Sequence, residues 1–326
     1  MKAATHARYG PPEVVGIEDV DVPVPTEDRL LVRVRAASVN RADIDGLYPR
    51  WQFTRLFFGL RRPKSGRVGL DVAGVVEAVG PNVTRFRPGD EVFGDLFAFG
   101  GGAFAEYVCA RERAFAALPT GMTFEAAATL PHSAILALQG LRLRDGRTIR
   151  PGDRVLVVGA SGNVGPFAVQ VAKSRAAEVT GVCRAEKMDF VRSLGADHVI
   201  DYTTVDYTRT GERYDWIVDV DAHHSILRWP RALRPNGVYV ALGGSTAWLL
   251  GALLLGPLVS RLTGRRLGLL TWWKPGHADD VATLKDLVAA GKLAPAIDRR
   301  FPLSEIVAAL RFVDDRSAKG KVVITV

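Results

Sequence analysis

Residues 154–173 read RVLVVGASGNVGPFAVQVAK. Arg154 to Val158 is a short aliphatic, β-branched run, as suits a strand buried on both faces. Gly159, Gly162 and Gly165 follow at three-residue spacing, and Phe167, Ala168, Val171 and Ala172 then recur at helical spacing. Strand, glycine turn and helix in that order form a cradle for a dinucleotide pyrophosphate. Glycine lets the backbone turn sharply, lets it approach the phosphates, and lets the new helix lie close to the sheet. The helix start adds unpaired N–H groups and a partial positive charge. Ser161, Gly162, Asn163, Val164 and Gly165 are therefore the expected phosphate contacts. The spacing is GxxGxxG, not GxGxxG, so the motif takes its meaning from the strand before and the helix after.

The pattern continues outward. Val179 to Val182 reads as a strand, Lys187 to Leu194 as a helix closed by Gly195, and His198 to Ile200 as a strand. Trp216 to Val220 and Gly237 to Leu242 are further strands, with a helix near Ser225 to Leu233 between them. That alternation predicts a doubly wound parallel sheet with crossover helices. Upstream the texture is β-rich: Leu30 to Ala37 alternates, and Gly69 to Val79 and Asp90 to Phe93 are strand candidates between Gly-Pro turns. Thr123 is placed to cap a helix, Asp279 to Ala290 reads as a helix closed by Gly291, and Lys321 to Val326 reads as a last strand.

Length and composition fit two core-forming domains: 326 residues, 48% hydrophobic and 24% charged. The start, MKAATHARYG, lacks an apolar signal core, so a cytoplasmic chain is expected. Two cysteines, Cys109 and Cys183, exclude a disulfide framework and a four-cysteine zinc site. A net charge of +8 is compatible with an anionic partner, but no recognition motif or basic tail accompanies it, so no nucleic acid is expected. The glycine turn lies in mid-chain, and none of the seven tyrosines has a lysine four residues later. Both facts exclude a short-chain dehydrogenase.

With this layout the chain resembles the medium-chain dehydrogenase/reductase superfamily, in its zinc-free quinone oxidoreductase branch. The resemblance is carried by Ala36 to Asp43 (AASVNRAD), Gly69 to Gly94, Gly101 to Val108 (GGAFAEYV), Val155 to Gly165, Leu194 to Tyr202 (LGADHVIDY) and Gly320 to Val326 (GKVVITV). It implies a GroES-like β-rich domain over 1–123, completed by 274–326, around a Rossmann domain over 124–273. Zinc members of the superfamily place a cysteine at the Ser38 position and a Gly-His-Glu motif where this chain has Gly69-Leu70-Asp71. No metal is therefore expected, and Asp71 reads as a structural polar residue at a strand end.

The resemblance also implies the cofactor and substrate. Arg184, not an acid, follows the second strand of the alternating region, with Lys187 close behind and Tyr202 ending the next strand. Relatives hold the 2′-phosphate of NADPH with residues at these positions, and an arginine fork suits phosphate. Glu186 is placed to soften that preference. Leu242, Gly243, Gly244 and Ser245 end the last central strand, where relatives line the nicotinamide. Asn40 matches the family asparagine near the substrate; its other reading is a loop residue bonding its own backbone. Tyr48 stands three residues beyond the usual tyrosine position, which here is Asp45. Both Asn40 and Tyr48 are candidate catalytic residues. His132 and Ser133 fall in PHSAILALQG, the segment that passes the nicotinamide in relatives, though a lone histidine such as His132 also reads as a packed residue.

The expected activity is NADPH-dependent, zinc-free hydride transfer to a quinone or an α,β-unsaturated carbonyl. The alternative is an NADPH-binding redox sensor or assembly protein with little turnover. Two stretches stand out, Arg50 to Arg67 and the apolar Trp248 to Leu262. Each reads as a cleft cap or the interface of a homodimer, or else as a weak membrane-surface contact.

Overall fold

The chain opens with an antiparallel pair, Lys2–Thr5 (β1) and Gly16–Asp19 (β2). The alternating run around Leu30 becomes Arg29–Val39 (β3), and the helix Arg41–Leu47 (α1) follows it directly. Asp71–Val79 (β4), Glu91–Asp95 (β5), Tyr107–Arg111 (β6) and Phe115–Ala117 (β7) complete the β-rich part. This computed structural model describes residues 1–48, 59, 62–63, 65–244, 246–271 and 273–326. Most of the Arg50 to Arg67 stretch, and Ser245, therefore lie outside the described residues. Thr123 caps the helix Phe124–Ala127 (α2) as its sequence predicts, its Oγ1 accepting from the Ala126 N–H at 3.2 Å. Ser133–Gly140 (α3) follows.

From Arg154 the alternation becomes one six-stranded sheet. Arg154–Val158 (β8) leads through the glycine turn into Gly165–Ser174 (α4). Glu178–Cys183 (β9), Met188–Ser193 (α5), His198–Asp201 (β10) and Tyr214–Asp219 (β11) come next. Trp229–Ala232 (α6), Leu233–Ala241 (β12), Thr246–Thr263 (α7) and Arg266–Leu269 (β13) close it. The spatial order is β10-β9-β8-β11-β12-β13, all parallel. Strand order reverses at β8, so the glycine turn emerges at the switch point of a doubly wound sheet. Trp216, Ile217, Trp229 and Tyr239 are each at most 1% exposed in its core. The sequence pattern did not anticipate β13, a short strand following an apolar helix.

Ala278–Ala289 (α8), Ile297–Pro302 (β14), Ile306–Asp314 (α9) and Lys321–Thr325 (β15) end the chain. β14 and β15 join the first sheet, whose order is β14-β15-β3-β4-β5-β7, with β6 also paired to β3. Two units result: residues 1–135, 275–285 and 295–326, and residues 136–274 and 286–294. The compact units divide at 135/136, where the sequence expectation was 123/124. Leu130 and Ala127 are fully buried, and α2 packs on β3 and β4, so this segment stays with the β-rich unit. Likewise 286–294 joins the parallel-sheet unit, where Gln170 bonds Ala294 in both directions.

The glycines of the turn are not equivalent. A Cβ on Gly165 would stand 2.2 Å from the Gly159 carbonyl oxygen and 2.6 Å from the Ala160 backbone, whereas one on Gly162 would meet nothing nearer than 3.5 Å. Gly165→Val should therefore cost at least about 3 kcal/mol in urea unfolding, and Gly162→Val less than about 1 kcal/mol. Equal losses would contradict this assignment of roles.

Candidate active site

Three adjacent strands bring distant polar residues to one end of the first sheet. β3 pairs with β4 so that Ser38 lies opposite Asp71, and β15 pairs with β3 so that Val322 lies opposite Val39. Continuing that register sets Lys321 opposite Asn40. Residues two apart share a face of a strand, so Ser38 and Asn40 point the same way and meet their cross-strand partners. The Ser38 hydroxyl donates to Asp71 Oδ2 at 3.0 Å and Asn40 Nδ2 donates to the same oxygen at 2.9 Å. Lys321 Nζ donates to Asn40 Oδ1 at 2.6 Å and reaches Asp71 Oδ2 at 3.3 Å. The start of α3 supplies the rest. The His132 backbone N–H donates to Asp71 Oδ1 at 2.9 Å, and Ser133 Oγ donates to Asn40 Oδ1 at 3.0 Å while accepting from Lys321 at 3.0 Å.

Ser38, Asn40, Asp71, Ser133 and Lys321 are each at most 1% exposed. Burial favours neutral forms, so it pushes Lys321 down and Asp71 up, each opposed by the partner's charge. His132 is pushed down by burial, but the Asp95 carboxylate at 3.0 Å outweighs this and raises it. Asp43, which accepts from the Asn40 backbone N–H at 2.7 Å, is raised to about 7 by burial.

Asn40 is held on most sides within the cluster. Its oxygen accepts from Lys321 and Ser133 and one amide N–H goes to Asp71, which leaves a single N–H for anything else. Tyr48 is engaged elsewhere. Asn40 and Tyr48 cap opposite ends of α1, and the Tyr48 hydroxyl donates to Asp314, which also accepts from Arg41 at 2.8 Å. Asp71 proves to be the hub of the cluster. Lys321 was read only as the start of a strand; its burial depends on β15 returning beside β3, which no local pattern states.

In the second unit the glycine turn runs between strand ends. The N–H groups of Gly159 and Ala160 donate to the Val182 carbonyl at the end of β9, at 3.1 and 3.0 Å. Ser161 and Val164 are 8% and 7% exposed, and Asn163 and Gly162 are half-buried. Gly162 leaves open the space that its side chain would take, and α4 begins at Gly165 behind it. These are the features a pyrophosphate needs.

Asp201 lies opposite Cys183 in the paired strands, so Arg184 and Tyr202 leave β9 and β10 side by side. Arg184 Nε donates to the Tyr202 hydroxyl at 2.9 Å, and both side chains remain partly exposed. Lys187 follows in the turn with its backbone N–H on the Arg184 carbonyl, and is 6% exposed. Glu186 lies 4.0 Å from Arg184, at the limit of an ion pair. Gly243 and Gly244 have a reason of their own to be glycine. A Cβ on either would stand 2.9 or 2.5 Å from the carbonyl of Val220 or Ala222. Leu242 packs against Gly140.

The alcohol dehydrogenase GroES-like domain family matches residues 26–120, and the zinc-binding dehydrogenase family matches residues 194–324. The chloroplastic quinone-oxidoreductase QR1 of Triphysaria versicolor is 31% identical, over 99% of this chain and 98% of its own length. The chloroplastic NADPH-dependent alkenal/one oxidoreductase of Arabidopsis thaliana is 30% identical, over 99% of this chain and 79% of its own. Among solved structures, the quinone oxidoreductase from Coxiella burnetii superposes with a TM-score of 0.88 at 28% identity, covering 100% of this chain and 99% of that one.

The buried pair yields a test. Lys321→Met leaves Asp71 ionised without its cation and should cost about 3–5 kcal/mol in urea unfolding. Adding Asp71→Asn should recover most of that loss. Additive losses in the double variant would show that the two charges do not compensate each other.

Proposed function

The chain belongs to the medium-chain dehydrogenase/reductase superfamily, in its quinone-oxidoreductase-like branch, and from that premise we propose that it is an NADPH-dependent, zinc-independent reductase of quinones or α,β-unsaturated carbonyls. The observation that carries the reading is the Lys321–Asp71–Asn40 cluster. Ser38 stands at a position where zinc relatives have a cysteine, and here it is bonded to Asp71, whose charge Lys321 already neutralises. Leu70, at the histidine position, has no donor atom. With no ligand set for a Lewis acid there, an acceptor activated by its own conjugation suits the site better than a simple alcohol. Relatives named for quinone and alkenal/one substrates support the same class.

The nicotinamide, when bound, supplies the hydride. The chain's own contribution is to bind and orient. The turn from Ser161 to Gly165 would receive the pyrophosphate at the start of α4. Arg184 and Tyr202, with Lys187 behind them, would take the 2′-phosphate. Leu242, Gly243 and Gly244 would lie along the nicotinamide. The unengaged N–H of Asn40 is the polar contact proposed for the acceptor carbonyl, its direction fixed by Lys321, Ser133 and Asp71. Tyr48 is not part of this mechanism, its hydroxyl being held by Asp314. The reading is completed by a homodimer and by a cytoplasmic location.

Cofactor choice is tested by Arg184→Ala with Lys187→Ala. Each charge-assisted contact contributes ~1.5–3 kcal/mol, so NADPH affinity should fall by at least about tenfold while NADH affinity is nearly unchanged. Equal losses would place the 2′-phosphate elsewhere. Gly162→Val, which spares the fold, should abolish binding of both cofactors.

The reaction is tested by following NADPH oxidation against a panel of quinones, enals and enones, with ethanol and propanol in the reverse direction. Turnover with a quinone or enone and none with the alcohols is expected. Alcohol oxidation without quinone or enone reduction would overturn the proposal. Cofactor binding without acceptor-dependent oxidation would favour the sensor reading.

A further inference from the structure

Helix α7 is apolar on both sides. Trp248, Ala252 and Val259 turn inward and are at most 8% exposed, packed with Leu267 of β13 in the core. Leu250, Leu254, Leu258 and Leu262 recur every four residues and form one outward stripe. Their exposures are 44, 75, 55 and 75%, and Leu253 and Leu255 widen the stripe at 54 and 41%. Twelve steps from Leu250 to Leu262 give a ridge about 18 Å long. The ordinary helix of a globular chain hides one such face and wets the other. Here both faces are hydrophobic, and the outer one is contiguous enough to mark a contact site.

Charge identifies the occupant. Residues 222–274 contain no aspartate or glutamate, yet carry seven cations: Arg228, Arg231, Arg234, Arg261, Arg265, Arg266 and Lys274. Arg228, Arg234 and Arg266 have carboxylate partners from outside the segment. Arg231, and Arg261 in the last turn of α7, are exposed, and no carboxylate partner is recorded for either among the described residues. A second copy pairing through this face by two-fold symmetry would set the cationic segment against itself. An anionic bilayer matches both features: acyl chains for the leucines and phosphate headgroups for the arginines.

We propose that the outer face of α7 is a docking surface for an anionic phospholipid membrane, into which the Leu250–Leu262 stripe inserts while Arg261 meets the headgroups. The helix lies on the membrane and does not cross it. Its inner face is fixed to the sheet, and among the described residues no helix is long and apolar enough to span a bilayer. The proposal is independent of which acceptor the enzyme reduces.

The test is flotation of the full chain with vesicles of phosphatidylcholine alone and of an equal mixture with phosphatidylglycerol. Binding is expected to the mixed vesicles and to fall as salt is raised. Leu254→Glu with Leu258→Glu should lower partitioning at least about tenfold. The same positions changed to Ile should retain it, and Arg261→Glu should weaken binding to the mixed vesicles only. Thermal melting confirms that each variant is folded. Absence of binding by the wild-type chain, or unchanged binding by the folded Glu variant, would overturn the proposal. So would loss of a dimer in sedimentation by that variant with no vesicle binding, which would assign the face to a second copy.

Discussion

The ammonium of Lys321 lies 3.3 Å from Asp71, in a place where neither side chain has access to water. The two residues are 250 positions apart. Burying either charge alone would cost several kcal/mol, so the pair is tolerable only with its remaining hydrogen bonds filled. Ser38, Asn40, Ser133 and the His132 backbone fill them. This constraint reaches well beyond the cluster. It requires the last strand to return beside β3, fixes that strand's register, and draws the start of α3 onto the sheet end. Asn40 is oriented as a consequence, since two donors and one acceptor hold its amide. A half-satisfied network would be worse than an apolar core, so the site is either completely assembled or strongly destabilising.

The second unit solves a different problem, that of leaving room. Two glycines of the same turn are glycine for opposite reasons. Gly165 is pressed by the Gly159 carbonyl from within the protein, whereas Gly162 faces open space. The reversal of strand order at β8 puts that open space at the sheet's carboxyl edge, beside the ends of β9 and β10. Arg184 and Tyr202 meet there because adjacent parallel strands end level with each other. The proposed phosphate turn and the proposed 2′-phosphate contacts therefore share one topological feature of the sheet.

Surface chemistry is distributed unevenly along the chain. Carboxylates are absent for more than fifty residues around α7, while the acids elsewhere pair with arginines across the surface. Combined with a leucine ridge, this makes one segment of the chain both cationic and apolar. Neither property alone would be informative: single exposed leucines are normal on soluble proteins, and isolated arginines are ordinary surface residues.

The doubly wound sheet was legible in the sequence because its signals are local. Buried strands, glycine turns and helical periodicity each occupy ten or so consecutive residues, and their alternation admits few topologies. The same holds for the contact of Arg184 with Tyr202, since consecutive strands of such a sheet end side by side. Other features depend on pairings between residues far apart in the chain. No pattern near Lys321 announces that it will be buried beside Asp71; that is decided when β15 pairs with β3. Tyr48 looked available until α9 brought Asp314 to its hydroxyl. The boundary at 135/136 was set by packing of α2 on strands more than forty residues upstream. In α7 the sequence determined that both faces are apolar. Only the tertiary structure decided which face is covered, because the sheet has room for one and hydrophobic burial does not distinguish between them.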